Sequence, residues 1–341
     1  MHLGGERYQF IAVGTGAINH GVPFGRLVIL TLHQGENNTV AVRRRYHMIC
    51  DDTVYSVAPY GTSSLVCCTG NMLCFKDFNA KTKKLEIVAQ VKLRSPAVQI
   101  SVSEPLICVS CAMDSVLVIK YENGRLFECF SDEIARNGFY ITKLLEDLLI
   151  ATDKQYGVVG LWRPPIDNRA LQSLKTIFEA ELDSSVSRIR RGICRPPWVP
   201  HDRHLPGIVG GGSNLIAAGV DGSFFQLTVI DESALRLLQL LQDLYRPRHQ
   251  AEEAYMMVAE DMTGLAEWER DPTKAHINGD ALAPIVELGA PWLREAVARA
   301  ENTLADGFVA LARRTVNPKR TEDVFEAVIN WVDGLLNDAV L

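Results

Sequence analysis

An internal repeat constrains this chain more than any other feature. "LVCCTGNMLCFKDF" begins at Leu65, "LICVSCAMDSVLVIKY" at Leu106 and "LLIATDKQYGVVGLW" at Leu148, so the starts lie 41 and then 42 residues apart. Each copy is an apolar run, a short polar or Gly-containing turn, and a second apolar run. A fourth copy, "LIAAGVDGSFFQLTVI", begins at Leu215, 67 residues after Leu148; the Pro- and Gly-rich segment 192–214 supplies about the excess. "FIAVGTG" from Phe10, followed by "GRLVILTL", reads as the first copy, and further β-rich runs cover 40–48, 85–93 and 174–182. Short β-rich runs that recur about every 40–45 residues are the pattern of propeller blades, antiparallel sheets that bury their faces only against their neighbours. The expectation is a mainly β fold: a partial, about five-blade WD-like β-propeller over residues 1–230.

"GTG" at Gly14 to Gly16 raises the question of a phosphate-binding loop. A dinucleotide fingerprint needs a third glycine and a helix that starts just after it. Here Asn19 stands in the third glycine's place and another strand-like run follows. The glycine pair is therefore read as turning the chain between two strands.

Beyond Ile230 the period changes. Residues 232–246 carry leucines at helical spacing, 291–314 open on a proline suited to a first helical turn, and 321–336 open on Thr321 as a cap followed by two acids. Val324, Val328, Val332 and Leu335 fall on one helical face. The reading is an α-helical C-terminal domain over 231–341. Charge divides at the same place: 11 basic and 20 acidic residues follow Ile230, net -9, against 24 and 21 before it, net +3. No apolar stretch approaches the roughly 18 residues of a membrane span. Eight irregularly spaced cysteines do not form a disulfide framework, which points to a reducing compartment.

Few residues carry candidate chemistry. Cys108 and Cys111 have C-x-x-C spacing, but on a strand positions i and i+3 diverge, so buried strand cysteines are expected rather than zinc or redox chemistry. His201, His204 and Cys194 in the inserted segment offer three metal ligands without a fourth. A nucleophile elbow, a P-loop and an H-E-x-x-H helix are absent, so no cofactor and no enzyme activity is expected. Two basic clusters, "RRR" at Arg43 to Arg45 and "RIRR" at Arg188 to Arg191, are open to two readings. They are solvated strand faces, or phosphate contacts in which Arg43, Arg45, Arg188, Arg190 and Arg191 meet nucleic acid. "RPPWVP" is open to two readings, a segment that displays Trp198 as a protein-interface anchor or a plainly disordered stretch.

These features, in this order, resemble the C-terminal part of one superfamily: the cleavage-and-polyadenylation specificity factor A subunit, the large subunit of damaged-DNA-binding protein, the related splicing-factor subunit and the fungal methyl-methanesulfonate-sensitivity scaffold. "FIAVGTG" with Gly25-Arg26-Leu27 resembles its "F-I-V-G-T … G-R-I" blade, and "EIAR" (133–136) a segment of the damaged-DNA-binding member's last propeller. "AAGVDGSFFQLT" running into "LRLLQLLQDL" resembles the final blade and first C-terminal helix; "INGD" and "TEDVFEAVINWV" match later helices. After "EIAR" the family usually has a Trp, where this chain has Phe139 and Tyr140. The resemblance implies a partner contact at Arg136, Phe139 and Tyr140. It further implies a non-catalytic nuclear scaffold or adaptor that binds protein subunits of a DNA-repair or cullin ubiquitin-ligase assembly. Its alternative is a nucleic-acid-binding subunit of pre-mRNA 3′-end processing or splicing machinery. Family members have three propellers, and five blades are about two short of a common ring size, so a piece of a ring or a reduced relative is expected.

Overall fold

A computed structural model of the chain describes residues 2–3, 6–7, 10–34, 40–79, 81–82, 84–165, 171–192, 205–209, 215–245, 275–300, 302–318 and 321–337. Two short strands, β1 (His2–Leu3) and β2 (Glu6–Arg7), pair with each other. Five larger sheets follow in chain order. The first joins β3 (Phe10–Asn19), β4 (Val22–Gln34) and β5 (Val40–Cys50). The second joins β6 (Val54–Tyr60), β7 (Ser64–Thr69), β8 (Met72–Asn79) and β9 (Lys84–Lys92). The third joins β10 (Ala97–Ser103), β11 (Leu106–Cys111), β12 (Ser115–Glu122) and β13 (Arg125–Ser131). The fourth joins β14 (Gly138–Lys143), β15 (Leu148–Asp153), β16 (Gly157–Trp162) and β18 (Lys175–Glu181). A two-residue strand, β17 (Gln172–Ser173), pairs in parallel with β13 and extends the third sheet. The fifth joins β19 (Val186–Arg191), β20 (Leu215–Gly219) and β21 (Phe224–Leu227). The fold is a partial propeller followed by helices, and Leu65, Leu106, Leu148 and Leu215 all lie in the second strand of their sheets.

The chain groups into two compact units, Met1–Thr176 with Glu181–Ser187, and Ile177–Ala180 with Arg188–Leu341. Strands give way to helices later than this division, between β21 and the helix that begins at Glu232.

In the first unit the second and third sheets are buried on both faces because their strands send alternate side chains to opposite neighbours. Leu65, Cys67 and Cys74 of the second sheet meet Leu27, Ile29 and Cys50 of the first. From its other face Val66, Leu73 and Phe75 meet Ile100, Ile107 and Val109 of the third. Val116, Val118 and Phe130 of the third sheet then meet Ile141, Leu149 and Ala151 of the fourth. Two-sided burial explains why "LVCC", "LICV" and "LLIA" are continuous apolar runs rather than alternating ones. Full burial of each such side chain contributes about 1.5–3 kcal/mol.

Hydrogen bonds between neighbouring sheets recur at the repeat spacing. Ser56 Oγ donates to Ala97 O at 2.7 Å, Ile141 N to Gln99 Oε1 at 2.9 Å, and Lys143 Nζ to Ser103 Oγ at 3.1 Å. The residues in these pairs are 41, 42 and 40 positions apart.

The glycine pair does not turn the chain. Gly14 and Gly16 lie inside β3, which runs on to Asn19, and β4 begins at Val22 with Pro23 already paired to Ile18. The turn is His20-Gly21, both with positive φ (48° and 80°), the conformation that a two-residue hairpin requires. What demands glycine at 14 and 16 is the second sheet. A Cβ at Gly14 would lie 2.6 Å from Val54 Cγ1, a Cβ at Gly16 would collide with Thr53 Cγ2, and one at Gly25 would lie 2.5 Å from Asp52 O.

Among the described residues of the second unit four helices, α1 (Glu232–Tyr245), α2 (Ala283–Arg299), α3 (Asn302–Val316) and α4 (Val324–Asn337), share one core that includes Leu237, Leu241, Ile285, Leu293, Phe308, Val328 and Val332. Asp231 starts α1 by accepting from Ala234 N at 2.8 Å. The run read as one helix over 291–314 is two, separated at Ala300, whose ψ of 164° is extended. Pro291 does open a helical stretch, since Gly289 (φ 71°) interrupts α2 just before it. Asp323, not Thr321, caps α4, accepting from Phe325 N at 3.2 Å. Part of the inserted segment belongs to this unit: Trp331 Nε1 donates to Pro206 O at 3.0 Å, and Ile208 bridges Ile230.

Overpacking a site of this kind costs about 1–3 kcal/mol. Gly14→Ala is therefore expected to lower the thermal midpoint by several degrees, and Val54→Ala introduced with it to recover part of the loss. A Cβ added at Gly21 would meet no atom within 4 Å, so Gly21→Asn, which tolerates positive φ, is expected to shift the midpoint little. Calorimetry of Gly14→Ala, Val54→Ala, their double variant and Gly21→Asn checks this, the first three forming a double-mutant cycle with the wild type.

Candidate interaction surfaces

The "EIAR" segment follows β13 and is built around a buried ion pair. Arg136 Nη1 donates to Asp132 Oδ2, and the two side chains are 7% and 1% exposed. The same carboxylate accepts from Ser115 Oγ at 2.5 Å and from Ile134 N at 3.1 Å. Arg136 O in turn accepts from Ser115 N at 3.1 Å and Gly138 N at 3.0 Å. Thus Arg136 ties β12 to the start of β14 and does not project outward. Tyr140 is buried as well, while Phe139 is partly exposed. The reachable part of the segment is Glu133, Ile134 and Phe139. Beside it lies an open recess of about 370 Å³, lined by Asp132, Glu133 and Ile134 on one side and Ser173, Lys175 and Thr176 on the other. The recess exists because β17 pairs with the end of β13, which places 172–176 against 130–134.

The basic clusters sit on strands. Arg43, Arg44 and Arg45 are all exposed on β5. A bulge in the pairing of β4 with β5 leaves Arg44 opposite Leu30 and Tyr46 opposite Ile29, with Arg45 between them. Arg45 Nε donates to Thr31 Oγ1 at 3.0 Å, and Thr31 is the partner of Arg43, so Arg43 and Arg45 share a side. On β19, Arg188, Arg190 and Arg191 are exposed around Ile189, which is fully buried. Trp198, Cys194, His201 and His204 lie outside the described residues.

Among the described cysteines six are core residues and Cys129 is partly exposed. Cys108 packs into the cluster between the third and fourth sheets and Cys111 into the one between the second and third, so their sulfurs leave opposite faces of the same sheet. Burial pushes the Cys67 and Cys111 thiols up to about 12 and those of Cys68 and Cys108 up to about 11. For Cys67 the nearby Lys76 ammonium opposes the rise without cancelling it. Lys76 is itself buried, with Nζ 3.7 Å from Met48 Sδ. Among the described residues no group of three or more His, Cys, Asp or Glu is arranged to hold a metal ion, and no helix is long and apolar enough to cross a membrane.

The site residues that the sequence offered are thus divided among a buried clasp, two exposed basic strands and a half-exposed aromatic. Phe224, exposed at 75% on the last sheet, was missed. Its signal was the pair of adjacent phenylalanines in "SFFQL", only one of which a strand can turn inward. Blade-like sheets followed by terminal helices define a propeller-type fold. The chain belongs to the family described as the CPSF A subunit region, whose pattern matches residues 1–251. It is also 28% identical over 235 residues to an uncharacterized protein of Schizosaccharomyces pombe, a match that covers 65% of this chain and 21% of that protein. The chain therefore spans about a fifth of that relative's length.

Three outcomes follow from this geometry. Removing one partner of a buried pair leaves an uncompensated charge and costs about 3–5 kcal/mol. Arg136→Ala should therefore lower the denaturation midpoint markedly, with Arg136→Lys intermediate. Among the described cysteines only Cys129 is not fully buried, so iodoacetamide at mildly alkaline pH should label it well before Cys67, Cys68, Cys108 or Cys111. Peptide mass spectrometry reads both the order and its disappearance in denaturant. The thiols raised in the folded state favour folding below about pH 9, where unfolded cysteine ionises, and that contribution is lost as pH rises towards 11. Cys67→Ala should flatten the alkaline decline in stability.

Proposed function

We propose that this chain is a non-catalytic scaffold whose exposed sheet faces and rim segments hold protein subunits together in a nuclear assembly of the DNA-repair or cullin ubiquitin-ligase kind. One observation carries the reading: membership of the CPSF A subunit region family over residues 1–251, in a chain with six buried thiols and one buried carboxylate–guanidinium pair committed to packing. Side chains buried in this way, with thiols held protonated, are poor nucleophiles and proton carriers. What remains available is surface, and a rigid blade stack holds rim segments in fixed relative positions, as an adaptor requires. The recess beside Glu133 and Ile134, with Phe139 on the following strand, is the protein-contact candidate in the first unit. A second reading, a nucleic-acid-binding subunit of pre-mRNA 3′-end processing or splicing machinery, is favoured by the exposed arginines of β5 and β19.

The scaffold reading is tested by affinity purification of the tagged chain from nuclear extract after nuclease treatment, in low and high salt. A defined set of protein partners should remain bound through both treatments, and Ile134→Asp with Phe139→Ala should lose some of them while leaving the thermal midpoint within about a degree. Partners released entirely by nuclease would refute it.

A further inference from the structure

The face of the fifth sheet that points away from its core combines arginines with an exposed aromatic ring. Pairing of β20 with β21 sets Ile216 opposite Gln226 and Ala218 opposite Phe224, so these four side chains share one face. Their alternates, Leu215 and Ala217, are buried. Strand β19 joins the same arrangement at its end: a Cβ at Gly192 would lie 2.8 Å from Ile216 Cδ1. Strand alternation then puts Arg190 and Arg188 on the side of Ile216, while Ile189, fully buried, points to the side of Leu215 and Ala217. The outer face thus reads, strand by strand, two arginines, then Ile216 and Ala218, then Phe224 and Gln226. Among the described residues of these strands no acidic one falls on it; Asp221 sits in the hairpin turn, where it accepts from Ser223 N and Oγ at 3.0 and 2.6 Å.

We propose that this face is a platform for single-stranded nucleic acid. Phe224 stacks on a base, Arg188 and Arg190 follow the phosphates on the neighbouring strand, and Ile216 and Ala218 floor the space between them. The chemistry fits this ligand better than a purely apolar partner. An aromatic ring on an open sheet gives any base a stacking surface, and guanidinium groups one strand away supply the backbone charge. A protein sheet packed here would have to desolvate two guanidinium groups. Phe224 is 75% exposed, so its ring is accessible. Arg191 lies outside the platform by strand parity, and Arg43 and Arg45 belong to a different sheet. The inference rests on the nucleic-acid reading of the β19 arginines and is independent of the scaffold reading.

Fluorescence polarisation of the purified chain with labelled oligo-U and oligo-dT of about 15 nucleotides, and with a duplex of the same length, tests it. Binding is expected for the single strands in preference to the duplex. Phe224→Ala should weaken it roughly 5- to 100-fold, the effect of losing about one stacked base, and Phe224→Tyr should largely restore it. Arg188→Gln with Arg190→Gln should reduce the slope of log affinity against log salt by about 1.4, whereas Arg43→Gln with Arg45→Gln should leave affinity unchanged. All of these side chains are exposed, so thermal midpoints should not move. Equal affinity of wild type and Phe224→Ala would overturn the proposal, as would preference for the duplex or no binding at about 50 mM salt. Loss of a nuclease-resistant protein partner in the Phe224 and arginine variants, with oligonucleotide binding unchanged, would also overturn it and assign the face to protein. Failure of oligonucleotide binding would leave the nuclease-resistant partner set intact, so the two readings fail separately.

Discussion

Close approach between successive sheets is the constraint on which the first unit depends. Each sheet is too thin to bury its own apolar faces, so stability comes from the layers between sheets, and those layers form only where the backbones can come together. Gly14, Gly16 and Gly25 permit this between the first two sheets, because their missing side chains leave room for Thr53, Val54 and the Asp52 carbonyl. Elsewhere the approach is fixed by polar contacts, Ser56 to Ala97 and Gln99 to Ile141, which tie each innermost strand to the next. A repeat of 41 or 42 residues in sequence thereby becomes a repeat of contacts in space.

This arrangement shapes what the protein can do. Chemically versatile side chains are drawn into the layers: six cysteines and one lysine are buried there, and the clasp of Asp132, Arg136 and Ser115 takes a carboxylate and a guanidinium out of solvent. An inward-facing thiol with its ionisation pushed up to about 12 is packing material. Chemistry is left to whatever the strand alternation sends outward, and on β5 and β19 that is arginine.

Much of this was legible in the chain itself. The repeat starts at Leu65, Leu106, Leu148 and Leu215 mark the second strand of four sheets, and the first three of these strands are apolar without a break because they are buried almost throughout. The helical stripe of Val324, Val328, Val332 and Leu335 faces the core of the second unit, as its spacing requires. Other positions were not legible. Gly14 and Gly16 pointed to a turn, since local sequence records the absence of a side chain but not the distant atom that occupies its place. Arg136 resembled a surface contact in its motif and is buried, because its partner Asp132 and the supporting Ser115 come together only when β12 and the segment after β13 are in place. Phe139 and Tyr140 are adjacent and differ in exposure because consecutive strand residues point to opposite sides.

The sequence alone determined the kind of element and the repeat: short strands in paired runs at a near-constant spacing, then amphipathic helices with an acidic surplus. These follow from the period of apolar residues, which is a local property. Tertiary structure decided which glycines are obligatory, which cysteines share a layer, where the carboxylate–guanidinium clasp closes, and that Arg188, Arg190 and Phe224 stand on one face. Each of these depends on residues brought together from distant parts of the chain, and no spacing along the sequence encodes the angle or distance at which they meet.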